Sequence, residues 1–258
     1  MDNDHVTRRY RSLHTTGNLR YFNVQVKDSD LAIGVNSDSY TDSLIPLCRK
    51  ELVKLRSELE DYIVRQPEFK LSFVPIVLLP EAPKIAVQMA EAAWKAGTGP
   101  MAAVAGAFAQ VIGERLHERV NDVIVENGGD IYINSSRERT VAIYAGKSKF
   151  SYKIGLILSA EETPLGICTS SGTVGPSISY GKADAIVVKS NSAALADAVA
   201  TQAGNLVKTE DDLVKAIKYA GNIDGIKGII AIKSDKMAVW GEMEIVPIAR
   251  GDSDESSR

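Results

Sequence analysis

Val123-Ile-Val-Glu-Asn-Gly-Gly-Asp-Ile-Tyr-Ile133 places two short apolar segments, Val123 to Val125 and Ile131 to Ile133, on either side of a polar turn. Such a pair reads as two strands joined by Glu126-Asn-Gly-Gly-Asp130, since Asn-Gly is a dipeptide that tight hairpins select. Further short apolar segments lie at Val141 to Tyr144, Ile154 to Leu158 and Ala185 to Val188, separated by turn residues. Strands bunched in this way, instead of alternating one for one with helices, indicate an α+β layered fold and not a doubly wound parallel sheet.

Working outward, Leu19 to Lys27 and Asp30 to Val35 read as a strand pair around a tight turn. Ser43 to Arg65 carries apolar residues at helical spacing (Leu44, Leu47, Leu52, Leu55, Leu59, Tyr62, Ile63), and this amphipathic helix ends before Pro67. Leu71 to Leu79 is a strand-like apolar run, and Pro83 to Ala96 and Pro100 to Arg119 are helices, the first stopped by Gly97. The second shows a face of small residues, Ala102, Ala103, Ala105, Gly106, Ala107 and Ala109, which permits close backbone approach for packing or for a ligand and leaves room for a homodimer. Helices at Ser192 to Leu206 and Glu210 to Tyr219 precede strands at Gly228 to Lys233 and Met237 to Val246. Gly251 to Arg258 is a polar, acidic tail expected to be disordered, leaving residues 1–250 as one domain of one or two closely packed lobes.

With 258 residues and 45% hydrophobic content, the chain can bury a substantial core. A formal net charge of −3 and no basic stripe interleaved with aromatics exclude a nucleic-acid footprint. The longest apolar runs, Phe73 to Leu79 and Met101 to Ala109, are too short to span a bilayer, and the polar start lacks an apolar leader segment, so a cytoplasmic location is expected. Two cysteines, Cys48 and Cys168, make no disulfide scaffold and are read as free thiols.

Four groups of residues could carry chemistry. Gly97-Thr-Gly-Pro-Met-Ala-Ala-Val-Ala-Gly-Ala107 is a glycine turn feeding a helix whose free N–H groups suit an anion, although it matches neither a Walker A sequence nor a dinucleotide fingerprint. The Asn127-Gly128-Gly129-Asp130 turn is either a plain hairpin or a backbone bent around a ligand. In Gly166-Ile-Cys-Thr-Ser-Ser-Gly-Thr-Val-Gly175, continuing to Lys182 and Asp184, Cys168 lies in a bend of glycines and small hydroxyl residues. An ordinary loop has that composition too, but there converging N–H dipoles would favour the reactive thiolate, with Lys182 adding charge if the loop folds back. Asp197 and Thr201, four apart on a helix, share a face and offer two oxygen ligands to Mg²⁺, or a solvated surface pair. Cys48, beside Leu47, is a packing thiol; His5, His14 and His117 read as surface residues and assemble no triad or zinc set.

These motifs, in this order, resemble an ApbE-like group of uncharacterised conserved proteins of anaerobic archaea and bacteria, distantly related to the ApbE flavin transferases that split FAD with Mg²⁺ and attach FMN to a protein threonine. The resemblance runs from Arg9-Tyr-Arg11 to Trp240-Gly241. It implies an ApbE-like, T-fold-like arrangement of mixed sheets packed with helices. Asp197 and Thr201 resemble the transferases' metal-ligating Asp and Thr, Gly128-Gly129-Asp130 their Gly-Gly-Asp turn, and Thr169-Ser170-Ser171-Gly172 their Thr-Ser-Gly segment. Ala105-Gly-Ala-Phe-Ala109 stands where those enzymes have Ala-Lys-Gly-Tyr-Ala, so the lysine is missing, and their His-x-x-Asp-Pro segment has no counterpart. Losing a cation that faces phosphate removes charge stabilisation of about 3 kcal/mol.

Two functions follow as expectations. The first takes Cys168 as the catalytic group of sulfide or persulfide handling in anaerobic sulfur assimilation toward cysteine or homocysteine, with a sulfur-delivering or redox protein as partner because a lone thiol cannot complete a redox cycle. Its motive is the sulfur metabolism that the family resemblance brings with it. The alternative is a protein that binds a flavin nucleotide or another small anionic, phosphorylated ligand, with Mg²⁺ at Asp197 and Thr201 and little or no transferase activity. In both, Gly99, Ala102, Ala103, Asn127 to Asp130, Thr169, Ser170, Ser171, Gly172, Thr173 and Lys182 line the ligand, which requires distant segments to converge.

Overall fold

The computed structural model describes residues 18–172 and 181–248. A hairpin of β1 (Leu19–Val26) and β2 (Ser29–Asn36) opens the fold. It is followed by α1 (Leu44–Arg65), whose buried face repeats every three or four residues through Leu44, Cys48, Leu52, Leu55, Leu59 and Tyr62. A short α2 (Glu68–Leu71) leads to α3 (Lys84–Ala96), which stops at Gly97 because the next backbone position is left-handed, φ 67°. One 3₁₀ turn over Pro100–Ala103 feeds α4 (Val104–His117). The rest of the chain runs β3 (Val123–Asn127), β4 (Asp130–Asn134), β5 (Arg139–Ala142), β6 (Ile154–Leu158), β7 (Leu165–Ser170) and β8 (Ala185–Ser190). Then come α5 (Ala193–Leu206), α6 (Leu213–Gly221), β9 (Ile226–Lys233), β10 (Lys236–Gly241) and β11 (Glu244–Pro247).

Eight strands form one sheet in the order β1-β2-β3-β4-β7-β8-β9-β10, and three form another in the order β11-β6-β5. The α+β class expected from the bunched strands is what the fold shows. The expected mixed sheets are not: among the described residues every pairing is antiparallel. The excursions explain this, because the β5–β6 hairpin between β4 and β7 and the α5–α6 pair between β8 and β9 each go out and come back, returning the chain reversed.

Period-two alternation divides the large sheet between two cores. Tyr132, Cys168, Ile186, Val188, Ile229 and Ala231 face the helices. Their neighbours Ile131, Ile133, Ile167, Val187 and Ile230 face the small sheet, where Val141, Leu156 and Leu158 meet them. The result is three layers, helices on large sheet on small sheet. A sheet covered on both faces accounts for the near-continuous apolar runs of its central strands.

Three further expectations are corrected. Leu71–Leu79 forms no strand: Leu71 closes α2 and the chain then passes beside α1 and α3, with the Val77 carbonyl accepting from Gln66 (2.8 Å), the Ile76 carbonyl from Trp94 (3.1 Å) and the Leu79 N–H donating to the Tyr62 hydroxyl (3.0 Å). Pro75 and Pro80 lack the N–H that a sheet ladder needs. The small-residue face of α4 is not free for a dimer, because it is spent on α5: a Cβ on Gly106 would lie 2.2 Å from the Ala193 carbonyl oxygen. Cys168, expected in a loop, lies inside strand β7. The acidic tail, Thr173, His5 and His14 lie outside the described residues, and no helix among those described is long and apolar enough to cross a membrane.

Candidate functional site

The β3–β4 turn is built by its glycines: Gly128 (φ 69°) and Gly129 (φ 109°) take conformations that strain any side chain. Gly129 donates its N–H to the Glu126 carboxylate at 2.8 Å, and Asn127 Nδ2 donates to the Ala105 carbonyl at 3.2 Å, docking the turn on the first turn of α4. Directly after the turn, Asp130 pairs in register with Cys168 on β7, so both side chains face the helices. The Cys168 thiol has two acceptors for its single proton, the Ala193 carbonyl at the start of α5, 3.3 Å away, and the Asp130 carboxylate. One turn further along α5, Asp197 Oδ2 accepts the Gly106 N–H at 2.9 Å, and its carboxylate accepts from Ala105 as well. Since α4 has no side-chain cap of its own, Asp197 satisfies the amides that sequence reasoning reserved for an external anion.

The electrostatics are unusual. Burial pushes Asp130 up to about 7, the charge of Glu126 adds to this, and hydrogen bonds from Cys168 and the Thr169 N–H oppose it. Burial also drives Asp197 well above the carboxylate range, reinforced by Asp130 and resisted by the Gly106 and Ala105 amides. Among the described residues no Lys or Arg figures in the groups acting on either acid. The thiolate expected at Cys168 is therefore not favoured. The sulfur is wholly buried, and burial, then the charges of Asp130 and Asp197, raise its pKa well above the thiol value. Cys48 is a packing thiol as expected, 1% exposed and pushed to about 12 mainly by burial.

Ala105, Gly106, Asn127, Asp130, Cys168 and Asp197 thus come together from α4, the β3–β4 turn, β7 and α5. Thr201 lies one turn beyond Asp197 on the same helix, and Ser170 approaches Gly204 further along it, its hydroxyl 3.4 Å from where a Cβ would stand. Ser171 and Gly172 continue β7, with the Gly172 N–H bonded to the Ala183 carbonyl at 3.0 Å. Gly99 and Ala103 are buried, and a Cβ on Gly99 would fall 1.8 Å from the Ser72 carbonyl oxygen, so the 71–79 segment covers that turn; Ala102 is half-buried. Lys182 is exposed, and its main-chain N–H and C=O bond to Val207 and Lys233. His117 is a surface residue.

Two buried carboxylates that repel each other, with a threonine hydroxyl one turn away, are the oxygen chemistry that Mg²⁺ uses when phosphate and water complete its shell. Among the described residues no group of three or more His, Cys, Asp or Glu is placed to hold a metal. The donor set therefore fits a cation shared with a ligand, not an all-protein cage. Sequence reasoning missed β7 as a strand, together with the amides of Ala105 and Gly106 as partners of Asp197. The signal for β7 was present in Leu165 and Ile167 alternating with Gly166 and Cys168, but the glycines and hydroxyls that follow masked it.

The AbpE bacteria family model matches residues 11–223. A UPF0280 protein of Methanococcus maripaludis strain C7 is 39% identical over 225 residues, covering 85% of this chain and 90% of the relative. A UPF0280 protein of Methanocella arvoryzae is 39% identical over 199 residues, covering 77% of this chain and 81% of the relative. The solved structure of the flavin transferase ApbE from Vibrio cholerae superposes with a TM-score of 0.56 at 13% identity, covering 86% of this chain and 96% of that one, a likeness of fold.

Proposed function

Because the chain belongs to the AbpE bacteria family, we propose that its Asp130–Asp197 site binds a flavin nucleotide or another phosphorylated ligand together with Mg²⁺, without transferring the flavin. The observation that carries this reading is the buried pair of acids with no cation beside it among the described residues. Buried acids are ordinarily paired with a cation, and a couple that lacks one is where a cation and an anionic ligand are expected. Bound Mg²⁺ supplies the positive charge that lets both carboxylates ionise.

The chain's own groups divide the work. Asp197 and Asp130 hold the metal, with Thr201 as third oxygen. Asn127 fixes the glycine turn against α4, leaving the open side of Gly128, where nothing stands within 4 Å of a Cβ position, as the way in. The lysine of the transferase motif is missing, and its place is closed: Gly106 meets the Ala193 carbonyl and the Asp197 Cβ, so no longer side chain fits there. That closure supports binding over transfer. Burial of Cys168 speaks against sulfide chemistry as the main activity.

The test is thermal unfolding with FAD and with FMN, each with and without Mg²⁺. Ligand at a hundredfold excess over Kd should stabilise by about 2.7 kcal/mol, and Asp197→Asn should abolish the Mg²⁺-dependent part. A melting temperature unmoved by every combination would overturn the proposal. Release of AMP from FAD would restore the transferase reading, and gain of one sulfur on native Cys168 after treatment with inorganic polysulfide, whose sulfane sulfur passes to the thiol as a shorter polysulfide leaves, would restore the sulfur reading when read by mass spectrometry.

A further inference from the structure

The two edges of the large sheet differ. The residues of β1 left exposed are Arg20, Asn23 and Gln25, whereas β10 leaves Val239 and Trp240 each 40% exposed. Among the described residues no strand pairs with the outer side of β10. Its outward backbone groups can be read from the hairpin. The two-residue turn Ser234-Asp235 closes on the Lys233–Lys236 pair, and beyond the strand Glu242 donates its N–H to the Lys227 carbonyl at 2.9 Å. Even-numbered residues therefore bond inward to β9, while Met237, Val239 and Gly241 turn their N–H and C=O groups outward.

We propose that β10 pairs antiparallel with β10 of a second copy of this chain, about a two-fold axis beside Val239. Antiparallel edge pairing across a two-fold requires the axis to be normal to the sheet, so the helix layers stay on one side and residues directly opposite share parity. Centring on Val239 is the choice that brings all three outward residues into the new ladder. Val239 then faces Val239 of the second copy, and each Met237 carbonyl faces the Gly241 N–H; the Gly241 carbonyl already accepts from Met243 at 3.0 Å.

Side chains agree with this register. On the helix face it sets Ala238 opposite Trp240 of the second copy, a small residue facing a large one on both sides of the axis. An open cavity of about 580 Å³ runs along this edge beside Ala238, lined by the apolar Leu213, Val214, Phe150 and Met237 together with four charged residues, Glu210 and Asp211 among them. A tryptophan arriving opposite Ala238 has that cavity as its seat, covering Val214, which is 53% exposed in the single chain. The backbone spacing and the apolar part of the cavity beside Ala238, which the Trp240 of a second copy reaches, thus complement the sequence of β10 itself, which selects a second copy over an unrelated peptide.

Sedimentation equilibrium of the full chain tests this. The wild type should show the mass of two chains. Val239→Lys and Val239→Glu should each weaken dimerisation roughly tenfold or more, because each sets like charges face to face at the axis, and an equal mixture of the two should recover the two-chain species. Because residue 239 is exposed on a sheet edge, circular dichroism and the melting temperature of each variant at low concentration should match the wild type. A single-chain wild type, a dimer that survives Val239→Lys, or a mixture that stays monomeric would each overturn the proposal. Protection of the Met237 and Val239 amides by some other added protein, with the wild type monomeric, would assign the edge to that partner instead.

Discussion

At the two ends of the β3–β4 hairpin, buried acids have opposite fates. Asp122 is 2% exposed, yet although burial pushes its pKa up, hydrogen bonds from Ser136, the Arg139 guanidinium at 3.0 Å and Asn18 bring it below the ordinary value. Arg139 in turn donates to Ser135 (2.8 Å) and Asn18 (3.2 Å), so the cluster is closed on itself. Asp130 and Asp197 are buried too but have amides, a thiol and each other for company, and their pKa values rise. A buried carboxylate beside a guanidinium is finished as structure. A pair without a cation is stable only in part, and that unfinished state marks the site.

Breaking the finished cluster should have the largest effect. Asp122→Ala strands the Arg139 charge and should cost about 3–5 kcal/mol, lowering the melting temperature by roughly 10 °C in calorimetry. Next in size is the pH dependence, where the two regions act with opposite sign. Asp122, with a lowered folded pKa, contributes stability that is present above the ordinary carboxylate pKa and lost as pH falls through its own lower value. Asp130, raised to about 7, keeps its proton in the folded chain after the unfolded chain has lost it, so its contribution is complete below about pH 4 and is lost as pH rises toward 7. Metal-free protein should therefore lose on the order of 2 kcal/mol between pH 5 and 8, and Mg²⁺ with ligand should restore most of it at pH 8 and little at pH 5. A metal-free profile that rises across this range would refute the unpaired reading.

Smaller changes sharpen the contrast. Asp130→Asn removes one of the two repelling charges and should stabilise the metal-free protein by about 1 kcal/mol at pH 8 while weakening the Mg²⁺-dependent shift. Cys168→Ser keeps a donor toward Ala193 and Asp130 and should change stability by about 1 kcal/mol or less, leaving ligand binding intact. In the same preparation both native thiols should react with a thiol reagent only on unfolding, which a labelling time course against denaturant would record.

Much of this was legible beforehand. The Asn-Gly-Gly turn, the α1 periodicity and the Gly97 stop are local signals, set by residues within a turn or two of each other, and the structure places them within a residue or two of expectation. What was not legible depends on remote neighbours. The register that puts Asp130 beside Cys168 is fixed by β4–β7 pairing across the excursion of β5 and β6. The engagement of Asp197 with Gly106 joins residues 91 apart in sequence. A cysteine among glycines and hydroxyls looks exposed when read alone, and only the α5 helix lying across β7 buries it.

Asp197 is both the proposed metal ligand and the cap of a helix that does not otherwise have one. The two roles draw on the same oxygen atoms. Whatever pulls the carboxylate toward a cation must loosen or tighten the first turn of α4, so the amide protons of Ala105 and Gly106 become a built-in gauge of occupancy. Their exchange with solvent, followed residue by residue, would register filling and emptying of the site with no label attached and no knowledge of the ligand's name.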